Sequence, residues 1–181
     1  MFEEKKALME WVASIKFPFS HYIVAQTSYR PFNKSISNIE AVRHELSADM
    51  RHTFNKLGRV LNLDLKNYSH KRLLPYMPAR LVSIESLSPN LTRRHTTHFN
   101  ILIGNINQHI NTNQLTNTFT EIWDATRYGT PDIKTQIFDG RDAVFNYMFK
   151  EDRNKYEFYD TGLTSLDTNS SYLPDNPAFV Y

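Results

Sequence analysis

His98 and Asn100 stand two residues apart in a run rich in strand formers, residues 96–104, Thr-Thr-His-Phe-Asn-Ile-Leu-Ile-Gly. Side chains alternate faces along a strand. Thr96, His98, Asn100 and Leu102 therefore share one face, and Phe99, Ile101 and Ile103 share the other. An earlier run, residues 79–87, reads Ala-Arg-Leu-Val-Ser-Ile-Glu-Ser-Leu. It puts Leu81, Ser83, Glu85 and Leu87 on one face. If the two strands pair, Glu85, His98 and Asn100 converge. A carboxylate, an imidazole and an amide oxygen make a hard or borderline donor set that suits Mg²⁺ or Mn²⁺. The same residues also fit a plain strand face, with His98 half-buried on a hydrogen bond and Glu85 solvated.

A second pair lies later. Tyr147 and Lys150 are three residues apart in Arg-Asp-Ala-Val-Phe-Asn-Tyr-Met-Phe-Lys-Glu, residues 141–151. On a helix this spacing puts them on one face. An ammonium beside a phenol can stabilise a developing phenolate or a phosphorane. Tyr and Lys also fall at this spacing in helices that do no chemistry.

The elements that must position these residues can be read from periodicity. Residues 3–15 read as a short helix with Leu8, Trp11, Val12 and Ile15 on one side. Residues 20–28 read as a strand that ends before Pro31. Ser37 and Glu40 have capping-box spacing. Ile39, Val42, Leu46, Met50, Phe54, Leu57 and Leu61 then recur every three or four residues, as an amphipathic helix requires. Residues 62–78 read as a loop. The strands 79–87 and 96–104 form an antiparallel hairpin through a long polar connection. A helix follows over about 113–127, with Leu115, Phe119, Ile122 and Trp123 on its apolar side and Gly129 as a stop. Residues 132–138 form a short strand, Asp139-Gly140 a turn, and residues 141–151 a last helix. The fold class implied is α+β, an antiparallel sheet with helices packed on its faces. The expected division is one domain over residues 1–160 and an irregular acidic C-terminal tail over 161–181, loose or draped over the surface.

Composition narrows the function classes. The chain has 181 residues, 40% hydrophobic, which is enough for one domain with a core. Cysteine is absent, so disulfides and thiolate metal sites are excluded. No run approaches the roughly 18 apolar residues that span a bilayer, and a cytoplasmic, non-membrane protein is the default expectation. Residues 151–181 hold two basic and six acidic side chains. Their −4 leaves +6 on residues 1–150, against +2 for the whole chain. A mildly basic body permits a nucleic-acid partner without requiring one. No Gly-rich phosphate loop of Walker type is present.

Taken in order, these pieces resemble the HUH endonucleases. Members of that superfamily carry a first-strand motif, a His-hydrophobic-His on a central strand and a Tyr-x-x-Lys on a later helix. Tyr147-Met148-Phe149-Lys150 matches the last in full. Thr97-His98-Phe99-Asn100-Ile101-Leu102 resembles the middle motif, with Asn100 in place of the second histidine. Glu85 stands where the family often has an acidic metal ligand, and Ile23-Val24-Ala25-Gln26-Thr27 stands for the first motif. Residues 122–129 and the strand and helix after them are similar to a pattern in phage and plasmid initiators. The resemblance covers about residues 20–151. Some members carry glutamine at the second histidine; asparagine is shorter and would hold a metal more weakly or through water.

The resemblance implies a Rep-like, ferredoxin-like sandwich and a metal-dependent DNA endonuclease and strand transferase. Tyr147 would be the nucleophile, Lys150 its charge partner, and Glu85, His98 and Asn100 the ligands of Mg²⁺ or Mn²⁺. The substrate would be single-stranded or hairpin DNA of a plasmid, phage or transposable element, nicked to start rolling-circle replication or mobilisation. A host helicase and polymerase would be its partners. Arg93, Arg94 and His95, with Lys71, Arg72 and Arg80, are then candidates for phosphate contacts. Tyr68, Tyr76 and Phe32 are candidates for base stacking. Two other readings stay open: a non-cutting DNA-binding module of the same fold, and an unrelated α+β protein.

Overall fold

The computed structural model describes residues 10–11, 14–29, 36–65, 67–85, 97–140, 144, 148 and 165–179. Five antiparallel strands form one sheet: β1 (Phe19–Thr27), β2 (Ala79–Glu85), β3 (His98–Gly104), β4 (Gly129–Ile137) and β5 (Ser165–Leu166). Their spatial order is β4-β1-β3-β2-β5. The helices are α1 (Ile36–Leu61), the single turn α2 (His70–Leu73) and α3 (Thr112–Asp124). The α+β class and the antiparallel sheet expected from the sequence are what the chain adopts.

β3 is central, and six of its seven residues are buried. That is why, apart from Asn100, whose amide is hydrogen-bonded, it reads as an apolar run: a strand covered on both faces is apolar on both except where a buried polar group finds partners. One sheet face, bearing Ile23, Ala25, Val82, Ile84, Phe99, Ile101 and Ile103, packs on Leu46, Met50, Phe54 and Leu57 of α1 and on Leu115, Phe119, Ile122 and Trp123 of α3. Each fully buried side chain of this kind contributes about 2–3 kcal/mol relative to an exposed one. Phe54 meets Phe119 edge-on at 5.8 Å, and Phe99 meets Trp123 at 5.6 Å. The Trp123 indole donates to the Gln26 carbonyl at 2.9 Å, which ties α3 to β1.

The opposite sheet face carries a second cluster. Phe19, Tyr22, Leu81, Leu102 and Leu166 are buried there together with Met148, and Val144 packs against them. Val144 and Met148 are helical. The sheet therefore has helical cover on both faces.

Several local expectations shift. α1 begins at Ile36, so Ser37 lies in its first turn and is not its N-cap. The capping box is found on α3 instead. There the Asn111 side chain accepts from the Gln114 backbone, and the Gln114 side chain accepts from the Asn111 backbone. Within 62–78 the chain winds into α2 and two 3-10 turns, Leu63–Leu65 and Leu74–Tyr76. Gly129 opens β4 instead of merely stopping α3. A Cβ at this position would lie 1.7 Å from the Trp123 carbonyl oxygen, so only glycine fits.

In the tail expected over 161–181, residues 165–172 line the outer edge of β2. Ser165 and Leu166 pair with Ile84 and Ser83. Asp167 N–H donates to the Val82 carbonyl at 2.8 Å, Ser171 Oγ accepts from Val82 N–H at 3.0 Å, and Arg80 and Tyr172 exchange backbone bonds. The physical reason is that an uncovered edge strand leaves a row of backbone groups unpaired.

Candidate functional site

β2 and β3 pair with Glu85 opposite His98 and Ser83 opposite Asn100. β1 and β3 pair with Tyr22 opposite Leu102 and Val24 opposite Asn100. The entry of β3 is pinned by Thr27, whose N–H and hydroxyl both donate to the Thr97 carbonyl, at 3.0 and 2.7 Å. His98 follows at once. Diagonal neighbours on one sheet face lie within reach of long side chains, and here they meet.

His98 Nε2 is 3.2 Å from Glu85 Oε2. Asn100 Nδ2 donates to the same oxygen at 3.1 Å. Tyr22 donates its hydroxyl proton to Asn100 Oδ1 at 2.6 Å. The result is a continuous polar chain, Tyr22 to Asn100 to Glu85 to His98, laid across three strands. Asn100 is fully buried, while the Glu85 and His98 side chains keep 9% and 19% of their surface. Solvent therefore reaches the chain from its Glu85–His98 end. The convergence of Glu85, His98 and Asn100 expected from strand alternation is what the fold produces.

Tyr22 and Ser83 were not singled out by the sequence. Ser83 faces Asn100 in register, is buried, and its Oγ has no hydrogen-bond partner. Alternation with Glu85 was a signal for Ser83. Tyr22 had no such signal, because nothing local says that β1 lies beside β3.

In donor type the set suits a hard divalent cation: a carboxylate and an amide oxygen for Mg²⁺, with an imidazole that also suits Mn²⁺. The amide oxygen is the third donor, and it presently accepts from Tyr22. Among the described residues no group of three His, Cys, Asp or Glu side chains gathers at metal-binding distances.

Tyr147 and Lys150 lie outside the described residues, as do Arg93, Arg94, His95 and Phe32. Met148, next to Tyr147, is buried against Tyr22, Leu81 and Leu102 on the face that carries the polar chain. Lys71 and Arg72 are exposed on α2. Asn105, just after β3, donates to the Pro75 and Met77 carbonyls, so the segment after α2 sits at the Ala79–Gly104 end of the β2–β3 ladder. Glu85 and His98 are at its other end, six residue steps or about 20 Å along the strands.

Arg80 does not present a charge to a phosphate. It is 5% exposed, its Nε donates to the Ser170 carbonyl at 2.6 Å and its Nη1 to the Pro78 carbonyl at 3.2 Å. Its guanidinium lies between the rings of Phe54 and Tyr172, at 4.7 and 5.1 Å. Burial lowers its pKa to about 10, so it stays charged at neutral pH. Tyr68 and Tyr76 meet edge-on at 6.4 Å, and Tyr76 packs on Phe179. Tyr68 keeps 39% of its surface.

Comparison with known protein families, curated proteins and solved structures finds no match to this chain. Among the described residues no helix is long and apolar enough to cross a membrane.

Proposed function

We propose that the chain is a single-tyrosine nuclease of HUH type that nicks and rejoins single-stranded or hairpin DNA, with Tyr147 as nucleophile. The observation that carries this reading is the meeting of Glu85, His98 and Asn100 on one sheet face. The spacing of two between His98 and Asn100 along β3, with a carboxylate from the adjacent strand, is similar to the arrangement that the resemblance implies, with Asn100 in place of the second histidine. The packing of Val144 and Met148 on the same face adds to it, because Tyr147 stands between them in sequence.

In the reaction the Tyr147 phenolate oxygen forms a bond to the scissile phosphorus, and the bond from phosphorus to the 3′ oxygen breaks. The released 3′ oxygen takes a proton, and the 5′ phosphate remains on the tyrosine. Attack by a 3′-hydroxyl reverses these bonds and rejoins a strand. Lys150 neutralises charge on the phenolate or the phosphate. Glu85, His98 and Asn100 would hold Mg²⁺ or Mn²⁺, which when bound supplies Lewis-acid polarisation of the phosphate.

A second reading is a DNA-binding module of the same fold that does not cut. One observation favours it: both polar atoms of the Asn100 amide are engaged, Oδ1 by Tyr22 and Nδ2 by Glu85.

The deciding experiment incubates a pool of labelled single-stranded oligonucleotides with the protein and Mn²⁺, then separates the products on a denaturing gel. The proposal expects a covalent protein–DNA adduct that is lost in Tyr147→Phe. Binding without an adduct would select the non-cutting module. Neither adduct nor binding would remove DNA from the reading altogether.

A further inference from the structure

The sheet has two edges, and the chain treats them differently. Residues 165–172 cover the outer side of β2. At the other edge stands β4, with β1 on one side and no described strand on the other. Phe138 N–H donates to the Ser20 carbonyl, and in the same register Gln136 pairs with Tyr22 and Lys134 with Val24. Backbone direction alternates along an antiparallel pair. The N–H and C=O groups of Lys134 and Gln136 therefore point to β1, and those of Ile133, Thr135 and Ile137 point outward. Among the described residues nothing pairs with that outward row.

An open edge of this length is a template for another strand. Which strand it fits follows from its own sequence, Gly-Thr-Pro-Asp-Ile-Lys-Thr-Gln-Ile, whose midpoint is Ile133. Laid antiparallel on a second β4 in full overlap, the strand meets itself about a two-fold axis at Ile133. In that register Asp132 stands opposite Lys134 of the second copy, and Lys134 opposite its Asp132. Both side chains are exposed, and neither has an ion-pair or hydrogen-bond partner among the described residues. Opposite charges directly across an antiparallel pair stabilise it, and like charges destabilise it. Ile137, 72% exposed, falls opposite Gly129, which has no side chain to obstruct it.

The backbone phase agrees. Ile133 belongs to the outward set, so the two copies would exchange both of its hydrogen bonds at the axis. Thr135 N–H would donate to the Pro131 carbonyl. The β1–β4 register shifts near Asp132, where four steps on β4 face two on β1. The excess is even, so the alternation of faces is kept. Lysine and proline on an edge ordinarily discourage pairing. Here Asp132 answers the lysine, and Pro131, lacking an N–H, costs one hydrogen bond on each side.

We propose that β4 is a self-complementary edge through which two copies of this chain form a weak two-fold dimer, with Asp132 and Lys134 as its reciprocal ion pairs. The inference does not depend on the chemistry of the Glu85 site. Lys134 and Asn100 both stand opposite Val24 and so share a sheet face. The two copies would therefore present their polar chains on one side of a joined sheet. A single strand pair buries less than the roughly 1,200 Å² at which standard interfaces begin, so the chain is a monomer when dilute and a dimer when concentrated.

Sedimentation equilibrium of the full chain over a range of concentrations reads the dimer. Asp132→Lys turns both reciprocal pairs into like charges and should weaken dimerisation on the order of tenfold. Asp132→Lys combined with Lys134→Asp exchanges the charges and should restore the wild-type constant, because the axis at Ile133 again sets lysine against aspartate. Both positions are exposed, and circular dichroism confirms the fold of each variant. A wild type that stays monomeric at the highest concentration would overturn the inference. So would a dimer that Asp132→Lys leaves unchanged, or one that the double exchange fails to restore. None of these outcomes bears on the Tyr147 adduct.

Discussion

Glu85 and His98 face each other across the β2–β3 ladder, with Oε2 and Nε2 3.2 Å apart, and His98 is the most exposed member of the polar chain. The carboxylate holds both His98 and Asn100, so its charge is the centre of the arrangement. Glu85→Gln keeps the size and an acceptor oxygen but removes that charge. The Mn²⁺-dependent adduct rate should fall by about 3 kcal/mol in transition-state terms, roughly a hundredfold. Single-turnover adduct formation measures it. A rate within twofold of wild type would sink the role given to Glu85.

Arg80 makes the opposite kind of prediction. Its charge is spent on the Ser170 and Pro78 carbonyls, and its plane on Phe54 and Tyr172. Arg80→Ala removes the packing and strands buried acceptors, at a cost of about 2–4 kcal/mol. Urea denaturation should show the loss, while the folded variant binds single-stranded DNA as the wild type does. Weakened DNA binding with unchanged stability would return Arg80 to the surface role that its charge suggested.

Glu45 on α1 is tied to Tyr128 and Arg127 beyond α3. The Tyr128 hydroxyl donates to Glu45 Oε2 at 2.5 Å, and Arg127 lies 2.9 Å from the same oxygen. The Tyr128 hydrogen bond is the main reason that the Glu45 pKa is lowered from 4.5. A lowered carboxylate contributes stability above its unfolded pKa and loses it as pH falls through the folded one. Tyr128 is raised to about 12, by burial first and then by Glu45. A raised phenol contributes stability below about pH 10 and loses it as pH climbs through its folded value. Tyr128→Phe should therefore flatten the pH dependence of stability at both ends. Urea midpoints from acid to alkaline pH check this; parallel curves for wild type and variant would refute it.

Removal of residues 165–181 should uncover the edge of β2. Leu166 leaves the cluster on the site face, and the Val82 carbonyl and the Arg80 backbone lose their partners. The truncated chain should melt well below the full one and self-associate through the freed edge. Thermal melts and size-exclusion chromatography read both effects. A monomer of unchanged melting temperature would mean that the segment is dispensable.

Much of the site was legible because β-strand alternation is local. The spacing of His98 and Asn100, and of Ser83 and Glu85, fixes which side chains share a face, and the β2–β3 pairing brings the faces into register. Arg80 was legible too, since it alternates with Val82 and Ile84, which belong to the core face. Its charge invited a surface reading that its position argued against. Tyr22 was not legible, because its contact with Asn100 needs β1 to lie beside β3, some 78 residues away. β5 was hidden for a related reason. Two residues in a polar run carry no period, and they become a strand only where β2 offers an open edge.

The sequence by itself determined the α+β class, the amphipathic α1 and α3, and the shared face of His98 and Asn100, because periodicity of 3.6 or 2 is written in adjacent residues. The tertiary structure alone decided that Tyr22 holds the Asn100 amide, that Arg80 is enclosed, that Lys71 and Arg72 stand at the far end of the ladder from Glu85, and that residues 165–172 cover the edge of β2. Those facts depend on strand order and on which edge needs covering. They arise from contacts between distant segments, which are settled only when the whole chain buries its apolar surface at once.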